Sequence, residues 1–184
     1  NNGIGKLFEG VDRWTVLIYV LIVLVGFVAI LSASYEEGAE SIFSFSHFYM
    51  KQLVWMGISF AVAVVVLLVD ASIYHKWAYL FYVLGLLTLV AALLFGREVN
   101  GAKAWFEIGS VRIQPVEFAK IATALALARV MSSSSFSINR AGDLFKVGLV
   151  ICLPLLIIVM QNDTGSGIVL VSLLFVLYLS LIHI

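Results

Sequence analysis

Two ionisable residues three positions apart, Glu117 and Lys120, stand inside an apolar run that opens on Gln114-Pro115. On a helix that spacing puts a carboxylate and an ammonium on one face. At membrane depth such a pair is costly, so it marks a proton relay, a substrate cavity or a salt bridge between helices. A second polar segment, 161–167 (QNDTGSG), places Asp163 before another apolar run. Asp163 is suited to cap a helix start and, with Gln114, to line one outward-facing pocket. The 25 residues from Gly96 to Lys120 also hold Arg97, Lys103 and Arg112. Guanidinium and ammonium donors suit an anionic headgroup or a pyrophosphate; anchoring to lipid phosphate is the alternative.

The elements that must position these groups are membrane helices. Hydrophobic residues make up 62% of the 184, charged residues 12%, and the mean hydropathy is +1.10, which excludes an ordinary soluble domain. Eleven basic and eleven acidic residues cancel, so net charge gives no reason to expect nucleic acid as a partner. Apolar runs predict spans near Trp14–Ser34, Leu53–Val69, Trp77–Phe95, Pro115–Met131 and Leu144–Met160, with a sixth from Gly167 onward. The backbone must be helical, because an unpaired strand in hydrocarbon leaves its amides unsatisfied. The expected fold class is therefore an all-α polytopic membrane protein, read as one domain over 1–184.

With the N-terminus inside, the internal connections carry Lys6, Arg13, Lys76, Arg129, Arg140 and Lys146, and the external ones Lys51, Arg97, Lys103 and Arg112. This excess sets the expected orientation. Cys152 is expected as a small buried apolar residue, and Asp143 as the cap of the fifth helix. Pro154 would free the carbonyl of Val150 and leave a kink or a wet groove. Ala29 with Ala33, Gly57 with Ala61 and Ala122 with Ala126 are expected to allow close helix contacts. Asn100-Gly101 and Gly109-Ser110 are turn dipeptides that fold the central loop back, and Trp105 and Phe106 suit an interface or a sugar face. His47, His75 and His183 lie in separate segments without metal-ligand spacing, and the first external loop, with Glu36, Glu37, Glu40 and His47, reads as solvated surface, so no metal site is read.

The ordered pattern Gly96, Asn100-Gly101-Ala102, Trp105, Gly109, Gln114-Pro115, Glu117 and Lys120, followed by Gln161, Asp163 and Gly165, resembles the SEDS family (shape, elongation, division and sporulation), most closely its rod-shape members. One departure is Asn162, where that family usually has proline. The resemblance covers the whole chain and implies the N-terminal part of a ten-helix fold, so the chain is expected to be a fragment. It implies a peptidoglycan glycosyltransferase that polymerises lipid II, an undecaprenyl-pyrophosphate disaccharide, beside a class B penicillin-binding protein in the bacterial inner membrane. Glu117 and Lys120 would be the supporting intramembrane pair, and Trp105, Gln114 and Asp163 match positions of the two external motifs. The family's essential aspartate lies in a later external loop that this sequence lacks, so the chain alone is expected to be inactive. A divalent cation as cofactor stays open. A lipid II flippase, a division-type polymerase and an ion-coupled transporter are the competing functions.

Overall fold

The computed structural model describes residues 12–34, 48–109, 111–137 and 139–182. The expectations for Lys6, Glu36, Glu37, Glu40, His47, Ser110 and His183 lie outside them. The chain divides into two compact units, 1–70 and 71–184.

The first unit holds α1 (Arg13–Ser34) and α2 (Phe48–Leu68), which touch each other. Asp12 caps α1: its carboxylate accepts the Trp14 amide at 3.1 Å, the Thr15 amide at 3.3 Å and the Thr15 hydroxyl at 2.6 Å. Ala29, Ala33, Gly57 and Ala61 are all exposed within this unit, contrary to the close contacts expected of them. Small-residue spacing permits close approach; it does not say which face of the helix is used.

In the second unit, α3 (Ala71–Phe95) leads into a three-stranded antiparallel meander of β1 (Arg97–Val99), β2 (Ala102–Ile108) and β3 (Val111–Ile113). Then come α4 (Pro115–Met131), α5 (Ala141–Met160) and α6 (Thr164–Ile182). All six expected helices exist. α2, α3, α5 and α6 begin three to six residues before the apolar runs that predicted them, because a helix continues through flanks such as Lys51, His75 and Asp143 that hydropathy discards. Among the described residues, four helices, α1, α2, α3 and α5, are long and apolar enough to cross a bilayer. At 17 residues α4 is about 26 Å long, marginal for the hydrocarbon layer. The architecture is that of a polytopic all-α membrane protein with one small extramembrane sheet.

Small residues set the α3–α4 contact. A Cβ added to Gly85 would lie 3.4 Å from both the Ala119 Cα and the Ala122 Cβ. Ala122 and Ala126 are buried as expected. Two apolar clusters tie the helices together: Tyr82, Leu127, Val147 and Ile151 form one, and Leu89, Val116, Ile158 and Leu170 the other.

The Pro154 expectation resolves in an unforeseen way. Proline has no N–H for the Val150 carbonyl, and the Tyr82 hydroxyl of α3 donates to that oxygen at 2.9 Å in a buried position. The groove is filled by a phenol. Two other expectations are corrected. Asp143 is the third residue of α5, not its cap; it accepts from the Ser137 amide at 3.2 Å and pairs with Lys146 at 2.8 Å. Cys152 is exposed on α5 beside Phe145 and Leu149. An apolar run fixes the depth of a residue, and packing alone decides which way it faces.

Candidate functional site

The loop between α3 and α4 is folded by its turn dipeptides. Val99 pairs with Ala102, so Asn100-Gly101 is a two-residue hairpin turn, and both residues have positive φ, 52° and 83°. That is the signature of a type I′ turn, whose twist matches the strands it joins. Ile108 pairs with Val111 across the second turn, where Gly109 has φ 64°. Gly96 is required for another reason: a Cβ there would stand 2.2 Å from the Ala92 carbonyl oxygen, which already accepts the Gly96 amide at 2.8 Å.

Alternation along β2 puts Lys103, Trp105 and Glu107 on one face. Across the sheet, Arg97 stands opposite Trp105, and Arg112 opposite Glu107. Glu107 takes both guanidiniums: Oε1 accepts from Arg112 Nε at 2.8 Å, and Oε2 pairs with Arg97. These contacts, Arg97 foremost and then Arg112, hold the Glu107 carboxyl below the usual carboxylate range. Lys103 turns away from the pair and donates its ammonium to the Leu94 carbonyl at 3.2 Å. Of the three loop cations, Arg97 and Arg112 are therefore brought together and Lys103 is not.

α4 begins at Pro115, where a missing N–H costs nothing, and Gln114 occupies its N-cap position. The Gln114 side chain makes no cap bond. Its amide instead reaches α6, donating from Nε2 to Asp163 Oδ2 at 2.9 Å. Asp163 in turn caps α6, accepting the Ser166 amide at 3.2 Å and the Ser166 hydroxyl at 2.8 Å. The two polar helix starts singled out from the sequence are thus joined directly.

Glu117 and Lys120 pair as their spacing requires, with Lys120 Nζ 3.0 Å from Oε1 and 2.9 Å from Oε2. The described residues do not enclose them: the Glu117 side chain is 56% exposed and that of Lys120 21%. They lie toward the side of α4 that carries exposed Ala124 and Ala128, opposite the buried Ala119, Ala122, Thr123 and Ala126.

The turn from α5 to α6 completes the arrangement. Asn162 has φ 59°; its amide donates to the Val159 carbonyl at 3.0 Å and the Asp163 amide to the Ile158 carbonyl at 3.2 Å. That pair of bonds is a Schellman motif with asparagine in the left-handed position. Proline, fixed near φ −65°, has no access to this conformation. Gln161 is 1% exposed; its side-chain Nε2 donates to the Leu89 carbonyl at 2.8 Å, and its backbone carbonyl accepts the Lys103 amide at 3.0 Å. Sequence reasoning missed Glu107, Tyr82 and these ties from Gln161. Only Glu107 left a readable trace, as the third polar or aromatic residue of an alternating run.

Known proteins share the sequence pattern and the fold of this chain. The family description "Cell cycle protein", covering FtsW, RodA and SpoVE, matches residues 12–184. Peptidoglycan glycosyltransferase RodA of Treponema pallidum is 40% identical over 126 residues, covering 65% of this chain and 27% of that protein. The solved structure of the rod shape determining protein RodA of Thermus thermophilus superposes with a TM-score of 0.75 at 29% identity, over 89% of this chain and 51% of that one. A peptidoglycan synthase complex that coordinates polymerization and crosslinking matches with a TM-score of 0.74 at 28% identity, over 89% of this chain and 45% of that chain. The chain spans 40% to 45% of the length of several curated relatives called probable peptidoglycan glycosyltransferase FtsW. With the family match over residues 12–184 and the shared fold, the chain is a multi-pass membrane protein that belongs to the FtsW, RodA and SpoVE family, the SEDS family.

Proposed function

We propose that this chain forms part of a peptidoglycan glycosyltransferase that polymerises lipid II during cell elongation, in the bacterial inner membrane with its N-terminus cytoplasmic. The observation that carries the reading is the Gln114–Asp163 hydrogen bond, which unites two polar helix starts beside the Glu117–Lys120 pair. A half-exposed carboxylate facing acyl chains is heavily disfavoured. Its exposure is accounted for if that face of α4 lines a polar, outward-opening cavity. What supports the elongation role over division is the 40% identity to a RodA over 126 residues, against 24% to 31% to FtsW relatives over 157 to 173 residues.

In the reaction, the sugar hydroxyl of one lipid II forms a bond to the anomeric carbon of another, gives its proton to a general base and displaces undecaprenyl pyrophosphate. The departing pyrophosphate calls for positive charge. On this reading Arg97 and Arg112 meet the headgroup and Trp105 offers a ring for a sugar face, while Lys103, tied to the Leu94 carbonyl, is the more distant cation. Glu117, Lys120, Gln114 and Asp163 shape the cavity at the helix ends. A class B penicillin-binding protein is the partner, in keeping with the synthase complex that this fold matches.

The test is lipid II polymerisation by the whole protein copurified with that partner, with glycan strands resolved on a gel. Glu117→Gln and Lys120→Met are expected to lower the rate at least ~10-fold, the scale of one lost charge-assisted contact in the transition state. Wild-type rates in both variants would sink the reading. Movement of headgroups across vesicles with no polymer formed would favour a flippase instead.

A further inference from the structure

Glu107 lies outside every motif recognised in the sequence, yet both of its oxygens are occupied by cations that come from different strands. Arg112 contributes only its Nε and Arg97 only one terminal nitrogen. Each guanidinium therefore keeps other N–H groups undirected by Glu107, and the side chains stay 61% and 74% exposed while Glu107 is 20% exposed. Beside the pair lies a cavity of about 310 Å³ bordered by Phe95, Arg97, Trp105, Phe106, Glu107 and Gly109, with Arg112 outside its walls. Two cations against one anion leave the trio with a net charge of +1.

We propose that Glu107 is a positioning residue that holds Arg97 and Arg112 as a fixed guanidinium pair, selective for a pyrophosphate headgroup over a monophosphate. This rests on the reading of Arg97 and Arg112 as headgroup contacts. An arginine side chain has many rotamers, and ordering two of them only when ligand arrives would weaken binding. Glu107 orders both in advance. Two linked phosphoryl groups need two donors at a set separation, whereas a single phosphate is satisfied by one. The device therefore acts on the difference between the two ligands more than on anion affinity in general.

Simple charge counting gives the opposite expectation, and that makes the idea testable. Glu107→Gln raises the net charge of the trio from +1 to +2, so bulk electrostatics alone would tighten every anion. The protein in nanodiscs is titrated with a polyprenyl pyrophosphate and the matching polyprenyl monophosphate. The expected result for Glu107→Gln is about 5- to 10-fold weaker pyrophosphate binding with less than about 2-fold change for monophosphate. Equal or tighter pyrophosphate binding in Glu107→Gln, with Arg97→Gln and Arg112→Gln both weakened, overturns the proposal and leaves the headgroup reading standing. Wild-type binding in both arginine variants removes the headgroup reading and this proposal with it. Should Glu107→Gln fail to fold, Glu107→Asp keeps the charge but shortens the reach to one guanidinium. It is expected to lose the pyrophosphate preference, and a retained preference counts against positioning.

Discussion

The Tyr82 hydroxyl donates to the one carbonyl in α5 that Pro154 leaves without its helical donor, at 2.9 Å and in a buried setting. Tyr82→Phe keeps the ring among Leu127, Val147 and Ile151 and removes only the donor. Leaving a buried carbonyl unsatisfied costs about 1–3 kcal/mol in general, while polar side-chain contacts between membrane helices average ~0.6 and reach ~1.7. The carbonyl here has no fallback within its own helix, so the upper part of the membrane range applies, about 1–1.5 kcal/mol. Pro154→Ala restores an N–H at position 154 that can serve Val150, and in that background Tyr82→Phe is expected to cost under ~0.5 kcal/mol. The double-mutant cycle should then give a coupling of about 1 kcal/mol, read from reversible unfolding in mixed micelles. A coupling of zero, with Tyr82→Phe equally costly in both backgrounds, refutes the argument that the phenol replaces the proline's missing donor.

Three further outcomes are expected. Asn162→Pro forces φ away from 59° and deletes the bond to Val159, so it should destabilise by about 3 kcal/mol or more in the same unfolding assay, whereas Asn162→Gly stays within ~0.5. Gly96→Ala drives a methyl to 2.2 Å from the Ala92 carbonyl oxygen and should cost about 2 kcal/mol or more, with faster amide exchange at the end of α3. Asp12, held down mainly by the Thr15 hydroxyl, and Glu107, held down mainly by Arg97, both have carboxyls below their ordinary values of 3.8 and 4.5. Their contribution is complete above those values and is lost as pH falls through the lower folded ones. Stability from these two groups should be flat from pH 6 to 8 and decline only below about pH 4.5, as a pH series of melting curves would show.

The helices were legible because a bilayer leaves few alternatives: long apolar runs must be helical, and Pro115, Asn100-Gly101 and Gly109 punctuate them where expected. The Glu117–Lys120 pairing followed from helical spacing alone. The link from Gln114 to Asp163 was half legible, since both stood at polar helix starts on the same side, but only coordinates show a bond across 49 residues. What escaped has a common physical cause. Tyr82 reading the proline gap, Gln161 holding Leu89 and Glu107 collecting two arginines are all tertiary satisfactions of polar groups, and nothing in a residue's own neighbourhood announces its distant partner. The sheet escaped differently: its alternation was present in 102–108, yet a short run between two turn dipeptides reads equally as loop.

The amide of Lys103 and the carbonyl of Leu89 both end on Gln161, so the meander, the third helix and the turn before the sixth share one anchor. Lesions in any of the three should therefore behave genetically as one locus. Second-site suppressors of a weakened meander are expected to cluster around residues 161–163, more than fifty positions downstream, and compensating exchanges should arise between these segments before they arise within either.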